Sequence, residues 1–202
     1  AYKAEIDQSL IAKNILQTAT GKYKGLKAGD PKFVALDGNG RIDDGEKTAN
    51  NRGDMRVIGN SRPRYNYSGS INLGWNGFDI SAFFQGVGRQ HRYPDGNAML
   101  FWGGYARPYS SFVPEHFLDD VWSEDNPDAY FPKLRGYAAQ GDRHLAKVNN
   151  RYLQNTAYCR LKNLTVGYTL PVDLTRKARI DRVRVYFSGD NLVTWTALKS
   201  KY

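Results

Sequence analysis

The chain is expected to be all-β, with antiparallel strands forming part of a large transmembrane β-barrel with long extracellular loops. Three observations predict this. Runs of about ten residues alternate apolar and polar side chains. Aromatic residues gather at the ends of those runs: Tyr65, Tyr67, Trp75 and Phe78, then Tyr158, Tyr168 and Trp195. The connections between runs are by turns very short and very long, as in outer-membrane barrels, whose inner turns are tight and outer loops extended.

Taken in order, residues 1–20 are polar, with Ile6, Leu10, Ile11, Ile15 and Leu16 at loose helical spacing, which predicts a short helix or loop. Residues 21–63 are rich in Gly, Asn, Asp and Pro and read as a long irregular connection. From Tyr65 the period changes to two. In "YNYSGSINLGW", Tyr65, Tyr67, Gly69, Ile71, Leu73 and Trp75 share one face and Asn66, Ser68, Ser70 and Asn72 the other. Asn76-Gly77 follows, a strong hairpin signal. "FDISAFFQGV" then sets Phe78, Ile80, Ala82 and Phe84 against Asp79, Ser81 and Gln85.

Residues 88–155 form a second long loop, where "VPEHFLDDVW" predicts one short helix with Phe117, Leu118, Val121 and Trp122 on one side. Strands return at "AYCRLKNLTVGYTL". Leu164, Val166, Tyr168 and Leu170 share a face, whereas Cys159 and Leu161 are out of phase with them. That one-residue shift predicts a bulge near Lys162-Asn163. "PVDLTRKARID" is a short connection. In "RVRVYFSGDNLVTW", Val183, Val185 and Phe187 oppose Arg182, Arg184, Tyr186, Ser188 and Asp190. The organisation is therefore an extracellular loop region over 1–63, a barrel hairpin over 64–87, a long extracellular loop over 88–155 and two further strands over 156–202.

Composition bounds the alternatives. The chain has 202 residues, 41% of them hydrophobic, with 20 Gly, 14 Tyr, 9 Phe and 4 Trp. No stretch approaches the ~20 consecutive apolar residues of a membrane helix, and no signal peptide opens the chain. It begins at "AYKAEIDQSL" without Met, as expected of a processed or truncated piece. One cysteine, Cys159, excludes a disulfide framework and a thiolate zinc cluster. The net charge of +9 raises nucleic acid as a partner, but Lys and Arg are scattered through loops and no nucleic-acid motif is present, so none is expected. A sandwich or soluble barrel would also alternate. Strand length near the 9–11 residues of a tilted membrane strand, together with the loop asymmetry, favours the membrane.

The stretch "ALDGNGRIDDGE" poses the metal question. With Gly40 at position 6 of a twelve-residue calcium loop, Asp37 falls at 3, Asn39 at 5, the Arg41 carbonyl at 7, Asp43 at 9 and Glu46 at 12. Position 1 is Ala35, which lacks a carboxylate, and the flanks "GDPKFV" and "KTANNRGD" read as turns rather than helices. A polar surface turn and a weak or lost calcium site both fit. Catalysis finds little footing. His91, His116 and His144 lack zinc-motif spacing and a partnered Ser nucleophile, and Cys159 has no evident His partner. Glu115, Asp119 and Asp120 suit a solvated helix face better than a glycosidase pair. No enzyme is expected.

"DGNGRIDDGEKT" followed by "GDMRVIGNSRPRYNYSGSINLGWNGFDISAFFQGVG" resembles the C-terminal barrel of SusC/RagA-type TonB-dependent outer-membrane transporters. "FWGGYARPYSSFVPEHF", "DVWSEDNPDAYFPKLRGY", "RYLQNTAYCRLKNLTVGYTLP" and "RVRVYFSGDNLVTWT" continue the resemblance in the family's order, from about Gly29 to Tyr202. It implies a bacterium of the Bacteroidetes type, integral residence in the outer membrane and a plugged barrel of roughly 22 strands. It also implies a SusD-like surface lipoprotein over the outer mouth and TonB acting through a plug. Neither the plug nor the family's closing aromatic strand is seen here, so the chain is read as a fragment. Family members commonly show aspartate where Ala35 stands, and a cation in that loop would stiffen it rather than act in chemistry.

The implied function is import of bulky nutrients, oligosaccharides or peptides, with no cofactor required beyond possible Ca2+ in the 35–46 loop. Asn66, Ser68, Ser70, Asn72, Asp79, Ser81, Gln85, Arg182, Arg184 and Asp190 would face the lumen and outer-membrane lipid the opposite side. Phe101, Trp102, Tyr105 and Tyr109 are candidates to touch substrate or lid, or to pack the loop. The alternative is a soluble calcium-stabilised β-domain that binds carbohydrate or acts in adhesion.

Overall fold

The computed structural model describes residues 26–95, 98–139, 145 and 147–198; the helix expected in residues 1–20 and His144 lie outside them. Four long strands carry the fold: β1 (Tyr65–Trp75), β2 (Phe78–Gly88), β5 (Tyr158–Thr169) and β6 (Arg184–Thr196). They form one open antiparallel sheet in the order β1-β2-β5-β6, so each strand pairs with the next long strand along the chain. The short strands β3 (His91–Arg92) and β4 (Gln154–Asn155) pair as a second, two-stranded sheet. The β1–β2 turn has Asn76 at φ 45° and Gly77 at φ 86°, the double left-handed conformation of a type I′ hairpin.

The expected bulge is present. Phe83 pairs with Asn163 and Phe84 with Leu161, so Lys162 is the extra residue on β5. On the other side of β5, Leu161 pairs with Val193 and Asn163 with Asp190, which leaves Asn191 and Leu192 opposite Lys162. Asn191 takes φ 54°, and its Oδ1 accepts a hydrogen bond from Lys162 Nζ at 3.1 Å. The bulge brings Leu161 and Leu164 to the same face, which a strict period of two forbids.

With that re-phasing the two faces become consistent across all four strands. One face carries Tyr65, Tyr67, Ile71, Leu73 and Trp75, then Phe78, Ile80, Ala82 and Phe84, then Cys159, Leu161, Leu164, Val166 and Tyr168, then Val185, Phe187, Val193 and Trp195. Tyr158 departs from the expected aromatic girdle. It registers with Val87 and Thr196 on the polar face, because it stands one residue out of step with Cys159.

Almost nothing in this sheet is buried. Leu73 is 62% exposed, Trp75 78%, Phe187 63% and Trp195 52%. Within the four strands the fully covered residues are the small ones, Ala82, Gly86 and Gly167, over which neighbouring side chains lean. At Gly86 the Tyr67 ring crosses β2, and its hydroxyl donates to the Tyr158 carbonyl on β5 at 3.0 Å. At Gly167 on the other face, Arg184 of β6 reaches over β5 to Asp79 of β2 through Nε (3.0 Å) and Nη2 (2.5 Å). A Cβ on Gly167 would meet Arg184 Nη2 at 2.5 Å and Asp79 Oδ1 at 2.7 Å.

The rest of the chain shows where a water-excluding core does exist. Among the described residues, those within 26–58 and 93–153 belong to one compact unit, and those within 59–92 and 154–198 to another, the sheet unit. The two expected loop regions are thus joined in one folded unit rather than being separate irregular connections. It contains α1 (Met99–Trp102) and 3-10 helices at Gly103–Tyr105 and Glu115–Asp120. The helix expected around residues 113–122 is therefore a 3-10 helix. Phe117 is buried as expected but Leu118 is 65% exposed, since at three residues per turn the two point apart. The connection between β5 and β6 holds a further short helix, α2 (Val172–Arg176).

Gly86→Val places branched carbons where the Tyr67 ring lies. It is expected to cost about 1–3 kcal/mol through overpacking, read as a lower temperature at which the full-length protein loses its compact migration in semi-native electrophoresis. An unchanged temperature would mean that the Tyr67 crossing carries no stability.

Candidate functional site

The polar face of the sheet gathers nearly all of the expected lumen residues. Asn66, Ser68, Ser70 and Asn72 of β1 stand beside Asp79, Ser81 and Gln85 of β2, through the register pairs Ser68 with Gln85, Asn72 with Ser81 and Gly74 with Asp79. Arg184 and Asp190 of β6 lie on the same face. Arg182 precedes β6 and belongs to the connection. The face is cross-linked from strand to strand. Asn163 Nδ2 donates to Asp190 Oδ1 at 2.8 Å, the Thr165 and Ser188 hydroxyls lie 3.0 Å apart, and Arg160 Nε donates to Thr194 Oγ1 at 2.9 Å. Arg160, Asn163, Thr165 and Thr194 were not among the expected residues. On β5 the signal that identifies them is the bulge, because a period of two carried past Lys162 reverses the faces.

Of the two roles expected for the loop aromatics, Trp102 and Tyr105 take the packing one. Trp102 and Tyr105 are each 0% exposed and sit in a cluster with Phe117, Phe131, Leu145 and Tyr152, with Phe101 packed against it. Trp102 meets Tyr152 edge-on at 5.1 Å between centroids, and Phe101 meets Trp102 at 4.8 Å and 87°. Such edge-to-face pairs add to the area term because ring edges and faces carry opposite partial charge. Trp102 and Tyr105 therefore present no ring face to a substrate or a lid. Tyr109, 90% exposed, is the member of the expected set that stays open.

The polar atoms of these rings are satisfied inside the cluster, as burial demands. Trp102 Nε1 donates to the Pro94 carbonyl at 3.2 Å, and the Tyr105 hydroxyl donates to the Pro132 carbonyl. The Tyr93 hydroxyl lies 2.9 Å from the Leu145 carbonyl and accepts from Asn149 Nδ2 at 3.0 Å. Burial pushes the Tyr93, Tyr105 and Tyr152 phenols well above their ordinary value, so they stay protonated and act as donors. Asp30, 1% exposed, accepts Arg135 Nη2 on both oxygens at 2.9 and 2.8 Å, which ties the 26–30 segment to this unit.

In the acidic loop the side chains cap their own backbone. Asp37 Oδ1 accepts from the Asn39 N–H at 3.0 Å, Asn39 Oδ1 from the Arg41 N–H at 2.6 Å and Asp43 Oδ1 from the Gly45 N–H at 2.8 Å. Asp54, outside the expected set, receives the N–H groups of both Leu36 and Asp43 and closes the loop. A cavity of about 610 Å³ is lined by Asp37, Asn39, Asp43, Asp44, Gly45, Lys47 and Asn51. Of the expected calcium set, Asp37, Asn39 and Asp43 come together, whereas Arg41 and Glu46 do not line the cavity. Lys47 Nζ and Lys147 Nζ lie 3.6 and 3.7 Å from Asp44 Oδ2, a carboxylate outside the expected ligand set. Among the described residues no three of His, Cys, Asp and Glu converge to hold a metal.

His91 Nδ1 accepts from the Asn60 N–H at 3.4 Å, and His116 lies in the Glu115–Asp120 helix. Cys159 stands on the apolar face, in register with Gly86 and Trp195.

An antiparallel meander with one uncovered apolar face and one hydrogen-bonded polar face has the pattern of a membrane barrel wall. Known proteins agree with that class. The chain is 31% identical over 170 residues to TonB-dependent receptor P3 of Formosa agariphila, covering 83% of this chain and 15% of the receptor. It is 25% identical over 143 residues to TonB-dependent receptor P26 of the same organism, covering 71% of this chain and 14% of that receptor. Among solved structures it superposes on the RagAB peptide importer in the open-open state with a TM-score of 0.52 at 25% identity, over 73% of this chain and 15% of that one. No family model matches the chain. The similarity to TonB-dependent receptors and to RagAB, whose RagA is of the SusC type, is thus partial: the chain spans about 15% of the length of the curated relatives it matches.

Arg135→Met removes the guanidinium from a buried carboxylate and is expected to cost the loop unit about 3 kcal/mol, the low end for a buried pair. Limited proteolysis on intact cells reads this as faster cleavage within 93–153, and unchanged cleavage would show that the pair does not hold the unit together. Calcium or EGTA is expected to leave cleavage within 35–54 unchanged; protection by calcium that Asp43→Asn abolishes would reinstate a cation there.

Proposed function

We propose that the chain supplies barrel wall and outer loops of a TonB-dependent outer-membrane transporter of the SusC/RagA type. In this reading the transporter imports bulky nutrients, oligosaccharides or peptides, with a SusD-like lipoprotein at its outer mouth. The observation that carries the proposal is the uncovered apolar face. Leu73, Trp75, Phe187 and Trp195 are all more than half exposed, and covering such side chains is worth about 1.5–3 kcal/mol each. Strands of 11 to 13 residues are long enough to cross the hydrocarbon layer at a tilt. Lipid is therefore the natural partner of that face.

The polar face then lines the lumen. Its hydroxyls, amides and the Asp79–Arg184 pair keep the interior wet and offer hydrogen bonds to a plug. The energy for transport comes from the inner-membrane proton gradient, delivered through TonB to that plug. The likeness to RagAB supports the peptide side of the substrate class. No step breaks or forms a covalent bond, and no cofactor takes part. Tyr109 and Phe112 are exposed loop aromatics available to a lid or substrate.

Fractionation of source cells tests this directly, with an antibody raised to residues 88–155. The expected outcome is an outer-membrane band several times larger than 22.9 kDa. A 22.9 kDa band in a soluble fraction would overturn the transporter reading and favour a soluble β-domain.

A further inference from the structure

We propose that one rim of the sheet, formed by Arg62, Arg64, Arg89 and Arg92, binds the phosphate groups of a lipid headgroup in the leaflet that meets that end. The proposal rests on the barrel reading and adds a ligand site to it.

The charge distribution at the two ends of the sheet differs. The end formed by residues 59–67, 85–92, 154–160 and 193–198 carries Arg62, Arg64, Arg89, Arg92 and Arg160, and no Asp or Glu. The opposite end interleaves Asp79, Asp173 and Asp181 with Arg176, Lys177, Arg179, Arg182 and Arg184. Arg160 belongs to the polar face, where it is held by Thr194. The other four arginines are exposed and lie in the segments that lead into β1 and out of β2. None of these four makes an ion pair with a described residue.

Hydrogen bonds hold the two segments together. The His91 N–H donates to the Asn60 carbonyl at 2.8 Å, Gln90 Nε2 donates to the Ser61 carbonyl at 3.0 Å, and the Asn60 N–H donates to His91 Nδ1 at 3.4 Å. Asn60 Oδ1 also accepts the Arg62 N–H at 2.9 Å. The strand pairing ends at Tyr65 with Gly88, and these contacts beyond it keep the segment carrying Arg62 and Arg64 beside the segment carrying Arg89 and Arg92. Arg89 stands at φ 49°, a left-handed conformation that favours glycine. Unpaired like charges gathered on a hydrogen-bonded ridge repel one another unless an anion joins them.

Depth identifies the anion. The apolar face ends at this rim in Tyr65 and Tyr67, 52% and 46% exposed, and aromatic residues of a barrel sit at the headgroup level. The Arg64 guanidinium lies 5.9 Å from the Tyr65 ring centre, which places its charge beside the aromatic belt. Residues just beyond that belt meet headgroup phosphates, and a guanidinium fork matches phosphate oxygens.

The test uses the full-length transporter purified in mild detergent from outer membranes, with organic phosphorus and acyl chains measured per protein. The combined variant Arg62→Gln, Arg64→Gln, Arg89→Gln and Arg92→Gln is expected to lose at least roughly tenfold of the bound lipid phosphorus, given the contribution of each basic residue near an anionic surface. The control at the opposite end of the sheet, Arg176→Gln, Lys177→Gln and Arg179→Gln, is expected to keep it. Equal phosphorus in all three proteins, equal loss in the control, or phosphorus without acyl chains would each overturn the proposal. Retained lipid with loss of a co-purifying lipoprotein would overturn it in favour of a protein interface. If the combined variant fails to fold, Arg64→Gln and Arg89→Gln singly must each show partial loss. Heat-modifiable migration of the wild type separates the two levels: without it, the barrel reading falls and takes the rim with it, whereas its presence with unchanged lipid rejects the rim alone.

Discussion

The single extra residue at Lys162 is the constraint on which the sheet depends. β5 is the strand that joins the β1–β2 hairpin to β6, so its phase decides whether four strands share two faces or contradict each other. Without the bulge, Cys159 and Leu161 would fall among Gln85 and Asn66, and Arg160 would turn to the apolar side. An arginine in hydrocarbon costs a few kcal/mol, about as much as one good core contact returns. The left-handed Asn191 on β6 opposite Lys162 shows that the neighbouring strand absorbs the same irregularity, and the Lys162–Asn191 hydrogen bond joins the two.

The two units hold together by different physics. The sheet has backbone ladders and cross-strand polar contacts but no interior, and its largest side chains stand exposed. The loop unit has an interior of its own, built from aromatic rings whose polar atoms find backbone acceptors. A connection as long as 89–157 is stable in water only if it buries its own apolar surface, and Trp102, Tyr105, Phe131 and Tyr152 do so.

These differences explain what was legible in the sequence. The strands were, because a period of two with Asn-Gly between Trp75 and Phe78 has few other meanings. The bulge was, because Leu161 and Leu164 cannot share a face otherwise. The polar-face residues of β1 and β2 followed from the same period, whereas Arg160, Asn163 and Thr165 lay beyond the phase change. The loop core was not legible. Trp102 and Tyr105 are 50 and 47 residues from Tyr152, and nothing in "FWGGY" distinguishes rings that pack from rings that bind. Asp30 and Arg135 are separated by still more chain, and a contact of that span leaves no local pattern. The acidic loop was legible only in part for a related reason: Asp54, which closes it, lies outside the twelve residues that suggest calcium.

Glycine positions extend the argument from strands to the wall as a whole. Gly86 and Gly167 lie on opposite faces and near opposite ends, and each lets a long side chain from one strand cross its neighbour to reach the next but one. Ladder bonds join adjacent strands only, whereas these crossings join three. On the apolar face the crossing group is a tyrosine ring whose hydroxyl is consumed by a backbone carbonyl, so its polar hydrogen is not left unpaired. On the polar face it is an ion pair, which water tolerates. Each face therefore uses the chemistry its own polarity permits, and in both cases a glycine makes the crossing possible.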